Sequence, residues 1–256
     1  MKTIHFFRHL PAILTLALVS LTTAAHAAEG GLRLGQTRVI FNGQNNSAKA
    51  VIKNNGQQVY LIKAEVMNTP DGNNPQLITP PFIVTPPMFR LEKESISTGL
   101  IVRNGTAQLP ADRESVFYLS LLAIPAVSKT GTPGENMTSA QVSVGIRNVI
   151  KLFYRPAGLK PGFQEAAGKL TFRQHGGQIQ VNNPTPYYLT LAELSVNQQP
   201  VNVRDANPMI APFSANTYAI SGTSSQAQWS VITDFGDAGQ TFTAVVTAGE
   251  FTHASP

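Results

Sequence analysis

Apolar and polar positions along this chain alternate with a period near two and almost never with a helical period. Strands are predicted over Val39–Phe41, Ala48–Lys53, Val59–Met67, Phe82–Thr85, Ile96–Arg103, Val116–Ile124 and Gln141–Tyr154. Between them stand Asn42-Gly43, Asn54-Asn55-Gly56, the turn-rich Pro70–Pro75 and Asn104-Gly105. An Asn-Gly pair tolerates the positive φ of a tight hairpin, so these are read as turns. Short strands at this spacing predict a β-sandwich, with a barrel as the alternative. Arg155–Gly162, RPAGLKPG, then brings two prolines and two glycines, the composition of a stiff connector. The β pattern resumes over Leu170–Gln174, Gln178–Val181, Tyr187–Leu194, Val201–Arg204, Thr217–Ile220, Trp229–Thr233 and Phe242–Thr247. The prediction is all-β: a first domain over 28–155, a linker over 156–162 and a smaller β-sandwich over 163–256.

The last predicted strand of the first domain has two halves. In Gln141–Ile146, Val142, Val144 and Ile146 are separated by Ser143 and Gly145, so the three apolar residues share one face. Val149–Tyr154 is apolar throughout except for Lys151. A lysine in such a run is costly to bury without an anionic partner. The polar segment Ala126–Ala140 precedes the strand and reads as a mobile loop or a long hairpin connection.

The N-terminus changes the length that must fold. Lys2 and Arg8 flank the start of an apolar run, Leu10–Leu21, and Ala25-His26-Ala27 follows. These are the parts of a secretory signal peptide over 1–27. The run is short for a membrane span, and no second long apolar run follows, so no membrane insertion of the mature chain is expected. About 229 residues remain, enough for one large or two ordinary domains. Without Lys2 and Arg8 the formal charge falls from +5 to +3. That excess is small, and no Lys/Arg cluster interleaved with aromatics occurs, so no nucleic-acid partner is expected. There are no cysteines, so packing alone must hold this exported chain.

Candidate chemistry is sparse. His175 and His253 are the histidines after the leader, and neither has a metal-ligating partner at useful spacing. The chain has no G-x-S-x-G, no P-loop and no dinucleotide fingerprint. No enzyme, cofactor, nucleotide or metal is expected, although carboxylates converging from distant positions leave a hydrolase open. Arg38 lies in the opening strand region and Lys151 in the last strand of the same domain. Each alone reads as a solvated strand charge. Together, near the linker, they could form a cationic pocket for a carboxylate, Arg38 as a planar fork and Lys151 as a point charge.

Several segments, in order, carry a family resemblance. They are Thr37–Phe41 followed by Asn42-Gly43, Thr85–Leu91 (TPPMFRL), Leu109–Ala126 (LPADRESVFYLSLLAIPA), Ile150–Pro156 (IKLFYRP) and Asn183–Tyr188 (NPTPYY). Through them the chain resembles the periplasmic pilus-assembly chaperones of chaperone–usher systems. The resemblance implies two immunoglobulin-like domains in a boomerang arrangement. It implies that Arg38 and Lys151 anchor the C-terminal carboxylate of a pilus or fimbrial subunit. Val142, Val144 and Ile146 would be the strand residues donated to the subunit's groove, and the capped subunit would go to an outer-membrane usher. Glu114, Arg155 and Asp234 match the family's interdomain ionic residues. Three departures accompany the resemblance. Ser120 stands where Asn or Cys is usual. The cysteine pair of the long-loop subclass is missing, yet Ala126–Ala140 is long for the short-loop one. Lys151 is odd-numbered while the donor residues are even, so either a bulge intervenes or the cleft lies on the opposite face of the strand. A secreted two-domain adhesin or carbohydrate-binding module on the same fold is the competing reading.

Overall fold

The computed structural model describes residues 31–73, 79–126 and 143–251. The leader and Val142 therefore lie outside the described residues.

The first domain opens with β1 (Leu32–Leu34), β2 (Arg38–Asn42), β3 (Ser47–Asn54) and β4 (Tyr60–Met67). It continues with β5 (Phe82–Thr85), β6 (Met88–Leu91), β7 (Ser95–Arg103), β8 (Ser115–Pro125) and β9 (Ile146–Arg155). Two sheets form, one in the order β1-β3-β7-β5 and one in the order β2-β9-β8-β4-β6. The chain thus changes sheets between β1 and β2 and again between β2 and β3. Alternate residues turn inward: Ile52 and Ile101 from one sheet meet Phe41, Ile62, Leu119 and Leu152 from the other, all buried. Phe41 and Phe82 rings lie 4.9 Å apart, and Phe82 meets Phe117 edge-on at 5.3 Å. Burying rings of this size contributes much of the core's stability, which a cysteine-free chain needs.

Asn42-Gly43 is not a hairpin turn. β2 pairs in parallel with β9, from Arg38 opposite Lys151 to Asn42 opposite Arg155. Gly43 has no positive φ among the described residues. It is needed for approach: its N–H donates to Arg155 O at 2.6 Å, and a Cβ there would stand 3.0 Å from both Arg155 O and Ala157 N.

The second domain begins with the short helix α1 (Phe163–Ala167). Its strands are β10 (Thr171–His175), β11 (Gln178–Asn183), β12 (Leu189–Val196), β13 (Gln199–Pro200), β14 (Met209–Ile210), β15 (Ser214–Ala219), β16 (Gln226–Val231) and β17 (Phe242–Ala248). They form one continuous curled sheet in the order β13-β12-β16-β17-β10-β11-β15, with β14 on β12. Trp229 is enclosed by Phe172 at 4.7 Å and Phe242 at 5.6 Å, and its indole N–H donates to Ala167 O at 3.0 Å. Val201–Arg204 is not a strand. Val203 N–H turns back to Val201 O at 2.9 Å, a tight turn that still buries Val203. The apolar alternation there was real, but it serves an irregular segment.

Candidate functional site

β9 begins at Ile146, later than the strand predicted from Gln141. Its pairing with β8 runs without a register shift from Ile146 opposite Ala123 to Tyr154 opposite Ser115. No bulge intervenes, so even and odd positions keep to opposite faces throughout. Leu152 faces the core and is fully buried, with Ile150 and Tyr154 packed beside it. Lys151 and Phe153 face the other way, toward the second domain: the Phe153 ring lies 5.8 Å from that of Tyr188. The parity of Lys151 is thereby explained, because the cleft lies on the face opposite the core.

Ile146 and Val144 continue the core-facing register beyond the point where the core ends. They are 50% and 71% exposed. Gly145 between them lies against β8, where a Cβ would stand 3.3 Å from Leu122 Cδ1 and 3.5 Å from Ala123 O. An apolar face is presented there with nothing of this chain over it among the described residues.

Arg38 and Lys151 are direct partners across β2 and β9. Arg38 Nη1 donates to Ile232 O at 3.5 Å, and Arg38 Cζ stands 5.7 Å from the Phe153 ring centroid. The buried Arg38 Nε has no hydrogen-bond partner among the described residues. Lys151 makes no hydrogen bond or ion pair among the described residues. Burial holds the Arg38 guanidinium below its ordinary range, against the opposing charges of Asp234 and Glu114. Burial, then repulsion from Arg38, holds the Lys151 ammonium below its own. Two half-buried cations thus stand side by side, both disfavoured by desolvation, an arrangement that a nearby negative charge would stabilise.

The nearest carboxylates are committed elsewhere. Arg155 Nε donates to Glu114 Oε1 at 2.6 Å, and Arg155 Nη1 and Nη2 donate to the two oxygens of Asp234 at 2.7 Å each. The other Glu114 oxygen accepts from Tyr188 N–H at 2.9 Å. Glu114 and Arg155 belong to the first domain, Asp234 and Tyr188 to the second, so the trio ties the domains together. Burial pushes the Glu114 carboxyl up against the pull of Arg155. Burial also works against Arg155, but the hydrogen bonds and charges of Asp234 and Glu114 outweigh it and hold the guanidinium above its ordinary range.

The sequence did not reveal how the turn after β16 is seated. Gly236 there has φ +96°, and a Cβ on it would stand 2.1 Å from Thr37 Oγ1, the residue before Arg38. Nor did it reveal that Arg113 lies over the Phe213 ring at 4.9 Å, a further contact between the domains. Both depend on residues far apart in the chain. Arg113 falls within Leu109–Ala126, next to Glu114, but nothing local marks it as a contact. Among the described residues no three His, Cys, Asp or Glu converge to hold a metal, and no helix is long and apolar enough to cross a membrane.

A two-domain β-sandwich protein with an interdomain cationic cleft beside an unfilled apolar strand is the class so defined. Residues 31–160 match the family described as pili and flagellar-assembly chaperone, PapD N-terminal domain. Residues 165–243 match pili assembly chaperone PapD, C-terminal domain. The chain belongs to this family of pili assembly chaperones. It is 36% identical over 232 residues to the chaperone protein FimB/FhaD of Bordetella pertussis, covering 88% of this chain and 92% of that protein. Among solved structures it is similar to the Escherichia coli chaperone DraB, with TM-score 0.70 and 33% identity over 85% of this chain and 97% of that one. A chain in the complex of Salmonella enterica SafA pilin with the SafB chaperone gives TM-score 0.70 and 30% identity, over 84% and 96%.

Proposed function

We propose that this protein is a periplasmic chaperone that caps fimbrial subunits by lending them a β-strand and releases them to an outer-membrane usher. The observation that carries the reading is the pairing of Arg38 with Lys151 on the cleft face of the strand whose other face exposes Val144 and Ile146. A subunit lacking one strand of its own sandwich has an open groove and unpaired backbone groups, and would aggregate through that edge. The donated strand supplies main-chain hydrogen bonds. Val144 and Ile146 enter successive pockets, about 6.5–7 Å apart, and Val142 extends the series. Arg38 and Lys151 hold the subunit's terminal carboxylate and so fix register, since a slip of one residue would turn every apolar side chain out of the groove.

FimB/FhaD is named a chaperone, and SafB is seen in complex with a pilin, both in keeping with a subunit as partner. The segment 1–27 serves as the export signal. Residues 28–155 carry the donor strand, 156–162 join the domains, and 163–256 close the cleft from the other side. Glu114, Arg155 and Asp234 set the angle between the domains. The protein acts stoichiometrically, without nucleotide, cofactor or metal. The test is co-purification of a tagged fimbrial subunit with Arg38→Ala, Lys151→Ala and the double variant, each checked for folding. The single variants should lose about 2–5 kcal/mol of binding. A folded double variant that retains subunit as the wild type does would overturn the anchor.

A further inference from the structure

Arg38 and Lys151 are two members of a longer row. Lys151 is opposite Arg38 on β2 and opposite Tyr118 on β8. Directly opposed residues project from the same face, with Cβ atoms about 4.5–5.5 Å apart. Arg38, Lys151 and Tyr118 therefore stand side by side on three neighbouring strands, facing the second domain. The next member of the row is Met67 on β4, which is nearly buried and apolar. The polar part of the row thus ends at Tyr118.

Tyr118 is half-buried, yet its hydroxyl has no hydrogen-bond partner among the described residues. The hydroxyl is not among the buried unpaired polar atoms, so it is accessible to an incoming group. Burial pushes its pKa up, so the hydroxyl remains a donor. Tyr188, which stacks with Phe153, is close enough for its own ionisation to be disfavoured by that of Tyr118, after the larger effect of burial. By register the Tyr118 side chain leaves the sheet on the same face as the two cations.

A carboxylate has about four lone-pair directions. Arg38 directs Nη1 toward Ile232 O, so a fork from its remaining N–H groups fills two of these directions; Lys151, approaching from one side, fills a third and leaves one open. We infer that the Tyr118 hydroxyl is a third donor to the terminal carboxylate of the subunit, flanking Lys151 on the side opposite Arg38. This rests on the reading of the cleft as a carboxylate anchor. With donors on both sides, Lys151 is centred and the site rejects a terminus that is not acceptor-only. A C-terminal amide would bring its own N–H groups against Arg38 and Lys151, neither of which can accept a hydrogen bond.

The test uses the folded full-length protein, Tyr118→Phe and Arg38→Ala. The probes are short labelled peptides of alternating valine and threonine, one ending in a free carboxylate and one in an amide, and the readout is fluorescence anisotropy. The wild type should prefer the acid. Tyr118→Phe should bind the acid about tenfold more weakly, the loss of one hydrogen bond to a charged group, and leave the amide unchanged. Tyr118→Trp keeps a ring donor and should retain most of the preference; it also serves if the Phe variant does not fold. Acid binding equal to wild type in Tyr118→Phe, with loss in Arg38→Ala, overturns the role of Tyr118 and leaves the anchor standing. Equal weakening of both peptides assigns Tyr118 to packing and also overturns its role. Equal binding of acid and amide by the wild type overturns the anchor itself.

Discussion

Arg38 and Lys151 are opposed in the parallel register of β2 and β9, so two cations stand side by side, and among the described residues neither forms an ion pair. A charged pair of one sign is normally avoided in a half-buried place, because desolvation and repulsion add. Here both push the Lys151 ammonium below its ordinary value, burial being the larger. An incoming negative charge would relieve the arrangement.

A pH dependence follows. When a carboxylate binds, Lys151 gains a partner, and its pKa in the complex rises above that in the free protein. Affinity is then complete below the free-state pKa, which lies under the usual 10.5, and falls as pH rises through it toward the pKa of the complex. The slope from this one proton is at most about tenfold per pH unit. Lys151→Arg keeps its charge and should flatten the profile. Titrating acid-ended peptide binding between about pH 7 and about pH 10 checks this, and a parallel decline in both proteins would assign the loss to other groups, the cleft tyrosines included.

Along the even-numbered face of β9, exposure divides the residues proposed to bind the subunit from those that hold the core. Ile146 and Val144 are largely exposed, so Ile146→Asp or Val144→Asp should change the urea midpoint by no more than about 0.5 kcal/mol equivalent while abolishing subunit capture. Arg147→Ser, on the opposite face, should leave capture intact. Leu152→Ala, six residues along the same face from Ile146 but in the core, should cost about 2–5 kcal/mol of stability. Capture by folded Ile146→Asp at wild-type levels would remove this face from the interaction.

The same strand shows what the sequence could and could not convey. Alternation alone identified Val144 and Ile146 as one face and Lys151 as the anomaly, because side-chain direction in a strand is a local property. It did not tell which face met the core, since that depends on where the opposing sheet ends. The two-domain β organisation was legible from turn chemistry and the proline-glycine connector. The sheet partners were not: Asn42-Gly43 has the residues of a hairpin, yet β2 pairs with β9, more than a hundred residues later. Arg155 and Asp234 were placed together by motif resemblance. Their bidentate contact spans 79 positions, which no local pattern encodes.

That contact supports the last prediction. The Glu114 side chain is buried, and Arg155 is its charged partner. In Arg155→Ala, Glu114 keeps the hydrogen bond from Tyr188 N–H but loses the cation, and Asp234, which is more exposed, loses its fork. Leaving one buried charge unpaired typically costs about 3–5 kcal/mol. Glu114 is already pushed above its ordinary 4.5 by burial, and removing Arg155 takes away the main force pulling it back. A carboxyl whose folded pKa is raised contributes stability that is present below the unfolded pKa and lost as pH rises through the folded one. The Arg155→Ala penalty should therefore be greatest at neutral pH and shrink as pH falls, because folded Glu114 takes up its proton above the ordinary 4.5. Glu114→Gln combined with Arg155→Ala should remove most of that pH dependence. Urea unfolding of the three proteins at several pH values reads the effect, and a penalty that is constant with pH would mean that Glu114 does not carry it.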